Sequence, residues 1–450
     1  MPLSGIQIYK LLPKTNCKDC GLPTCLAFAM KLAAKQIELA ACPHVKADAK
    51  AQLADAAEPP VRLITLKTGG AGAREVKSGN ETVLFRHEKS FINKPGMFLR
   101  VRDDDPIASI QAKVAAAEAY TVRYVGIDLT LDGFAVQATA PFDPARFANV
   151  VSAVRASSKR PLILIARDVA VMTAGLRAID GESPLIHGAD ASNWEAMAGL
   201  AKQHHAPLVA CADSLDGLAD LTGKLKAKGI DDLVLDPVSR QLGAALTRQT
   251  QIRRLALKKD FRPLGYPIIA FPGDATDPTQ EAVQAAQAIT KYAGFIVLER
   301  FAPEMIYPLL VLRENIYTDP QKPIQVLPGL YEINNPKPTD PVLVTTNFSI
   351  TYFSVANEVE GAGLPAWLLI VDAEGMSVLT GWAAGKFDAE RIAKAVKESG
   401  IANKVTKHRL VVPGHVAVLS GELEEELPTW EIRVGPREAV DLPAFMKQAL

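Results

Sequence analysis

Eight short β-rich runs follow one another through the middle of this chain: Met97–Val101, Tyr124–Leu129, Leu162–Ala166, Pro184–His187, Pro207–Ala210, Asp232–Leu235, Pro267–Phe271 and Phe295–Leu298. Helical stretches such as Ala108–Ala119 and Thr279–Ala293 separate them. Strands joined through helices run parallel, and eight such units over roughly 230 residues are the count and length of a closed (β/α)8 barrel. Such a barrel carries its working groups at the carboxyl ends of its strands. Near those ends stand Asp103, Asp128, Asp168, Asp190, Asp213, Asp236 and Asp274. They are either catalytic carboxylates or helix N-caps, and Asp is so favoured at N-caps that capping is the expected role. No histidine stands at nucleophile or metal-ligand spacing from a cysteine or carboxylate. Cys211, in the apolar run Pro207–Ala212, is expected to be an inert core thiol. The barrel alone therefore predicts no reaction.

With 450 residues the chain is too long for one ordinary core, so two or three domains are expected. Its 50 basic and 50 acidic side chains cancel, which leaves no electrostatic footprint for nucleic acid. No apolar run reaches the ~18 residues that a membrane helix needs. Met1–Lys14 lacks a basic segment followed by an apolar core, so no secretory signal is read there and a cytoplasmic location is expected.

Four of the five cysteines, Cys17, Cys20, Cys25 and Cys42, crowd into one segment with spacing C-x2-C-x4-C-x16-C. In a reducing compartment such a group reads as a metal site rather than a pair of disulfides. Structural zinc usually takes two paired C-x2-C halves, and this chain has one. A four-thiolate iron–sulfur cluster fits the spacing best, with Gly21 and Pro23 suited to a loop that turns sharply around it. A helix, Leu26–Ala40, would return the fourth thiol. His44, just past Cys42, is expected to be a surface neighbour rather than a ligand.

A linker-like patch (Pro59-Pro60, Gly69-Gly70) and a hairpin near Thr82–Phe91 are expected between this head and the barrel. A proline-rich stretch (Pro320, Pro323, Pro328, Pro336, Pro338, Pro341) follows the barrel. The tail then alternates strands Val342–Thr345, Trp367–Val371, Arg409–Val412 and Trp430–Val434 with helices Ser349–Val359, Leu379–Glu398, Ala417–Glu426 and Ala439–Gln448, the pattern of a small open parallel sheet. Ligands of such sheets lie beyond the carboxyl ends of the strands. Those ends, Thr345-Thr346-Asn347, Asp372–Ser377, Pro413-Gly414 and Gly435-Pro436, are rich in small and hydroxyl residues. They suit the close approach of a large polar ligand, although Gly375, Gly414 and Gly435 equally suit simple tight turns. No G-x-G-x-x-G follows these strands, so a dinucleotide is not favoured.

Head, barrel and tail together resemble the large subunit of the corrinoid iron–sulfur protein of the reductive acetyl-CoA pathway, the gamma subunit of acetyl-CoA decarbonylase/synthase. The resemblance spans the whole chain. It is carried most specifically by Ile8–Pro13 through Cys17…Cys42-Pro43, by Leu379–Phe387, and by Pro413–Gly421 and Val434–Ala439. It implies a fold of N-terminal iron–sulfur domain (1–60), central TIM barrel with a preceding hairpin (61–325) and C-terminal Rossmann-like α/β domain that binds a corrinoid (326–450). It implies a [4Fe-4S] cluster on Cys17, Cys20, Cys25 and Cys42, and a corrinoid near Thr346, Asn347, Gly375, Met376, Ser377, Val378, Thr380, Gly414 and Gly435. The implied function is methyl carriage: Co(I) takes a methyl group from methyltetrahydrofolate or a related pterin through a methyltransferase and gives it to acetyl-CoA synthase/CO dehydrogenase. The cluster would reduce Co(II) back, and a small corrinoid iron–sulfur subunit would complete a heterodimer. None of the seven histidines has the Asp-x-His-x-x-Gly setting of a cobalt ligand, so the corrinoid is expected to lack one. The alternative is an iron–sulfur electron-transfer subunit whose tail is a docking domain.

Overall fold

The structure, a computed structural model, describes all residues except 1–4, 34–36, 38, 47, 48, 51, 52, 54–58, 71, 87, 89, 90, 319–323 and 450. The chain divides into two compact units, Met1–Thr121 with Thr130–Tyr317, and Val122–Leu129 with Thr318–Leu450.

In the first unit the head builds its own small core. Helices Gly5–Leu11 and Cys25–Ala33 contribute Ile8, Phe28, Ala29 and Leu32 to it. The predicted helix Leu26–Ala40 ends sooner, and residues 34–36 and 38 lie outside the described ones. The hairpin lies earlier than predicted: β1 (Ile64–Lys67) pairs antiparallel with β2 (Glu75–Ser78) across the Gly69-Gly70 turn. Among the described residues of 82–91 there is no strand, because the Glu88 carboxylate accepts the amides of Leu84 and Phe85 (both 3.1 Å) and folds that stretch into a turn. Ile64 and Leu66 join the inner barrel core, and Val76 packs so close to Gly96 that a Cβ there would lie 2.9 Å from its Cγ1. The hairpin thus closes the amino end of the barrel.

The barrel begins with β3 (Gly96–Arg102). The next two strands, β4 (Val122–Tyr124) and β5 (Ile127–Leu129), pair with each other in the second unit. Tyr124–Leu129 is therefore not the barrel strand it was predicted to be. Val125 and Gly126, at φ 44° and 83°, form a two-residue turn of the kind hairpins favour. The second barrel strand is instead β6 (Gly133–Gln137), followed by β7 (Leu162–Ile165), β8 (Leu185–Ala189), β9 (Leu208–Cys211), β10 (Leu233–Asp236), β11 (Ile268–Ala270) and β12 (Ala293–Leu298). These eight strands are parallel and close in chain order, with β12 pairing back to β3. Alternate residues point inward, and Phe98, Ala135, Ile163, Leu185, Val209, Val234, Ile269 and Phe295 fill the interior.

The second unit is a five-stranded sheet in the order β13 (Gly329–Ile333), β15 (Ala366–Val371), β14 (Val342–Thr346), β16 (Arg409–Val412), β17 (Glu431–Val434). Strand β13 runs antiparallel on one edge inside the proline-rich stretch; Pro328 and Pro336 flank it, as an edge strand allows. Pro320 and Pro323 lie outside the described residues. Every residue of β14 and β15 is buried, as in a sheet covered on both faces. Val125 belongs to one of those faces, which is why the β4–β5 hairpin belongs here. The helix predicted over Leu379–Glu398 breaks in two, Val378–Ala383 and Ala389–Glu398. Gly385 takes φ 65°, and the Asp388 carboxylate caps the new helix by accepting the Arg391 amide at 2.9 Å.

Candidate functional site

In the head, four backbone turns bend the cysteine loop onto itself: Lys14, Asn16, Lys18 and Gly21 all take positive φ. The Asn16 carboxamide oxygen accepts the Cys25 amide at 2.7 Å, and the Thr24 hydroxyl accepts the Ala27 amide at 3.0 Å, which caps the helix that carries Cys25. A short turn, Leu39–Ala41, returns Cys42. As a result Cys17, Cys20, Cys25 and Cys42 all line one small cavity with Leu12, Leu22 and Phe28. Cys25 and Cys42 are buried, Cys20 is half-buried and Cys17 is exposed. Burial, together with repulsion from the three other sulfurs, pushes the Cys42 thiol up. His44 is exposed, as expected, and its Nε2 lies 2.6 Å from Asp19, so the loop between Cys17 and Cys20 is tied to the segment after Cys42. Bonds from His44 and then Cys17 hold the Asp19 carboxyl below its usual range.

In the tail, a cleft of about 770 Å3 opens at the carboxyl ends of β14, β16 and β17. Thr345, Ser377, Val378, Pro413, His415 and Gly435 are among its lining. Of the predicted rim residues the cleft brings together Ser377, Val378 and Gly435; Thr346, Asn347, Gly375, Met376, Thr380 and Gly414 stand outside its lining. Thr346 is fully buried, and the Thr380 hydroxyl lies 3.0 Å from that of Ser377. Met376 donates its amide to Ala373 in the turn where Gly375 takes φ 74°. At Gly414 a Cβ would come 2.6 Å from the Gly435 carbonyl oxygen, so this glycine is what lets the two rim loops touch. Ile350, Phe353, His415 and Val440 line the cleft without having been foreseen, and Thr345, named as part of the first strand end, lines it where Thr346 does not.

Asn347 holds the rim together. Its oxygen accepts the amides of Ala373 and Gly375 (both 2.9 Å), and its NH2 donates to Asp372 (3.0 Å) and Gln325 (3.3 Å). The side chain is buried at 2% exposure. Asn347→Ala strands one buried and one part-buried amide, and we expect it to destabilise the tail by about 1–3 kcal/mol, read as a lowered urea midpoint for tail unfolding. A midpoint equal to that of the native protein would remove Asn347 from this role.

The carboxyl end of the barrel is more polar inside than the sequence suggests. Arg100, 1% exposed, donates to Glu299 (2.5 Å), Asp274 (2.6 Å) and Gln137 (3.1 Å). Asp274 accepts Arg240 at 3.0 Å, and Arg240 grips Asp236 through two bonds of 2.9 and 2.7 Å. Burial opposes ionisation of Asp236, but the bonds from Arg240 and His187 prevail and hold its carboxyl far below the usual range. Contrary to expectation, a histidine does meet both a carboxylate and the supposedly isolated thiol: His187 Nε2 is 2.8 Å from Asp236 and 3.6 Å from Cys211. The capping role predicted for the aspartates holds at Asp168, which accepts the Val171 amide. Asp103 instead accepts Thr139 and pairs with Arg146, Asp190 accepts Ser192, and Asp128 pairs with Arg123 across the β4–β5 hairpin.

Residues 67–446 match the family described as CO dehydrogenase/acetyl-CoA synthase delta subunit, and residues 12–44 match an Fe-S cluster family. The corrinoid/iron-sulfur protein large subunit of Moorella thermoacetica is 45% identical over the full length of both chains. The acetyl-CoA decarbonylase/synthase complex subunit gamma of Archaeoglobus fulgidus is 36% identical, over 99% of this chain and 98% of that one. Among solved structures, 7,8-dihydropteroate synthase from Vibrio fischeri is 14% identical over 52% of this chain and 99% of its own, with a TM-score of 0.38. On full-length identity, the chain belongs to the family of corrinoid/iron-sulfur protein large subunits and acetyl-CoA decarbonylase/synthase gamma subunits.

Proposed function

We propose that this chain is the methyl carrier of a reductive acetyl-CoA system, with an iron–sulfur cluster in the head and a corrinoid in the tail. The observation that carries the reading is that one chain holds both a cavity lined by four thiols and, in a separate unit, an open cleft at the carboxyl ends of a parallel sheet. The donor set fits a four-thiolate cluster on Cys17, Cys20, Cys25 and Cys42, as the spacing predicts. The cleft fits a large ligand with both apolar and polar parts: about 770 Å3 is lined by Ile350, Phe353 and Val440 together with Ser377, Asn357 and His415. When bound, the corrinoid supplies a cobalt that takes up and gives away a methyl group, and the cluster supplies single electrons to restore it.

The chain's own residues bind and orient. Ser377, Val378 and Gly435 meet the ligand at the rim, and Asn347 and Gly414 fix the loops that carry them. His415 lines the cleft with its Nε2 3.6 Å from Glu438. It lacks the Asp-x-His-x-x-Gly setting, so we assign cobalt no protein imidazole. The methyl would arrive from a methyltetrahydrofolate (or related pterin) methyltransferase and leave to acetyl-CoA synthase/CO dehydrogenase, with a small corrinoid iron–sulfur subunit as constant partner. Protein purified without oxygen and supplied with corrinoid should carry cobalt together with iron, and its corrinoid absorbance should shift on reduction. Iron without cobalt would favour an electron-transfer subunit instead.

A further inference from the structure

His187, Cys211 and Asp236 are the last inward-facing residues of three adjacent strands, β8, β9 and β10. Register places Asp236 opposite Cys211 and His187 opposite Val209. All three residues are buried, and one donor atom from each lies within 4.8 Å of the others. This position, at the carboxyl end of a parallel barrel, is where such folds carry their ligands. It is independent of the head and tail sites.

Asp236 is fully bonded, by Arg240, His187 and the Val238 amide, and the Cys211 thiol is the loosely held member. Asp236 is an acceptor only, so Nε2 of His187 carries the proton and donates it to Asp236. Nδ1, the nitrogen turned away from this pair of contacts, is buried and has no partner among the described residues. The Cys211 thiol has just two distant contacts, His187 Nε2 at 3.6 Å and the Val209 carbonyl at 3.9 Å. A nucleophile is not what this geometry makes. In a thiol–imidazole–carboxylate triad the two ring nitrogens serve different partners, whereas here thiol and carboxylate share one nitrogen.

We propose that His187, Cys211 and Asp236 form a binding site for a thiophilic divalent cation of the zinc class. Tetrahedral zinc at its usual bond lengths sets its nitrogen about 3.3 Å from an oxygen ligand and about 3.5 Å from a sulfur ligand. The present separations from Nε2 are 2.8 and 3.6 Å, with the sulfur and the carboxylate oxygen within 4.8 Å of each other, so ligation needs the Asp236 oxygen to move off the ring nitrogen and off Arg240 Nη2. Binding releases the thiol proton of Cys211 to solvent, and the imidazole proton moves from Nε2 to Nδ1, freeing the Nε2 lone pair. Asp236 Oδ2 turns to the metal while Arg240 keeps its bond to Oδ1, an outer partner that orients the carboxylate. Arg240, whose side chain is 29% exposed and lies over the Phe271 ring, links Asp236 to the surface.

The test is equilibrium dialysis of the full-length protein against buffered zinc, with zinc counted per chain. Cys211→Ala should bind one zinc fewer than the native chain, the site being weakened by more than about a hundredfold, beyond what loss of an outer-shell partner costs. His187→Gln, which keeps a hydrogen bond to Asp236, should lose the same ion. Zinc-edge absorption of the native protein should show one sulfur and two lighter ligands whose sulfur disappears in Cys211→Ala. Folded variants that bind as many zinc ions as the native chain overturn the proposal, whether that number is zero or more.

Discussion

Replacing Cys20 with alanine should abolish reductive reactivation of the oxidised corrinoid while sparing methyl uptake by protein that has been chemically reduced beforehand. Cys20 is the informative choice. Cys25 and Cys42 are built into the small core of the head, so replacing either would also remove packing. Cys20 is half-buried at the edge of that core, and its loss reports on ligation. Losing one ligand of a four-thiolate site should cost more than losing an outer partner, so iron content should drop and reactivation should slow by more than about a hundredfold. The tail cleft lies in a separate compact unit, and no described residue lines both it and the head cavity. Effects at sites without shared partners stay separate, so methyl uptake should change by less than about twofold. Loss of both activities together would refute the division of labour between head and tail.

How far the sequence was legible depended on how far apart the cooperating residues lie. The four head cysteines sit in one short segment, and their spacing alone implied the convergence that the cavity displays. The barrel strands were legible wherever an apolar run stood alone between helices. The misassignment came where two β-rich stretches were close neighbours. Tyr124–Leu129 looks like a strand but turns at Val125-Gly126, while Gly133–Gln137, opening on a glycine, looks too weak to be one.

At the barrel mouth the signal was present but subtle. Leu185-Ile186-His187, Val209-Ala210-Cys211 and Val234-Leu235-Asp236 each carry an apolar strand to a last inward-facing residue that is polar or a thiol. Each looks unremarkable alone; only strand register brings the three together. In the tail the ambiguity was one of face. Val342–Thr346 is buried on both sides, so alternation cannot tell which threonine meets the cleft. Thr345 does, although Thr346 was the one expected.

The cleft itself is best tested by filling it. Deleting everything beyond Pro341 would be a poor experiment, because it would strip β13 of its neighbour β15 and leave the β4–β5 hairpin, with Val125, without the sheet it packs on. Ser377→Trp is cleaner. Ser377 lines the cleft and begins the helix Val378–Ala383, but its side chain makes no capping bond; its hydroxyl contact is with Thr380, at the exposed rim. Losing that contact costs about 0.5–1.5 kcal/mol at most, so Ser377→Ala should bind corrinoid like the native protein and melt close to it. The indole, in contrast, occupies volume that a buried ligand must have vacant. Cobalt per chain should fall by at least about tenfold in Ser377→Trp, a loss equivalent to about 1.4 kcal/mol or more of binding free energy. Iron should stay at the native level, because the cluster cavity is in the other unit. A tryptophan variant that retains full cobalt would show that the corrinoid binds elsewhere on the chain.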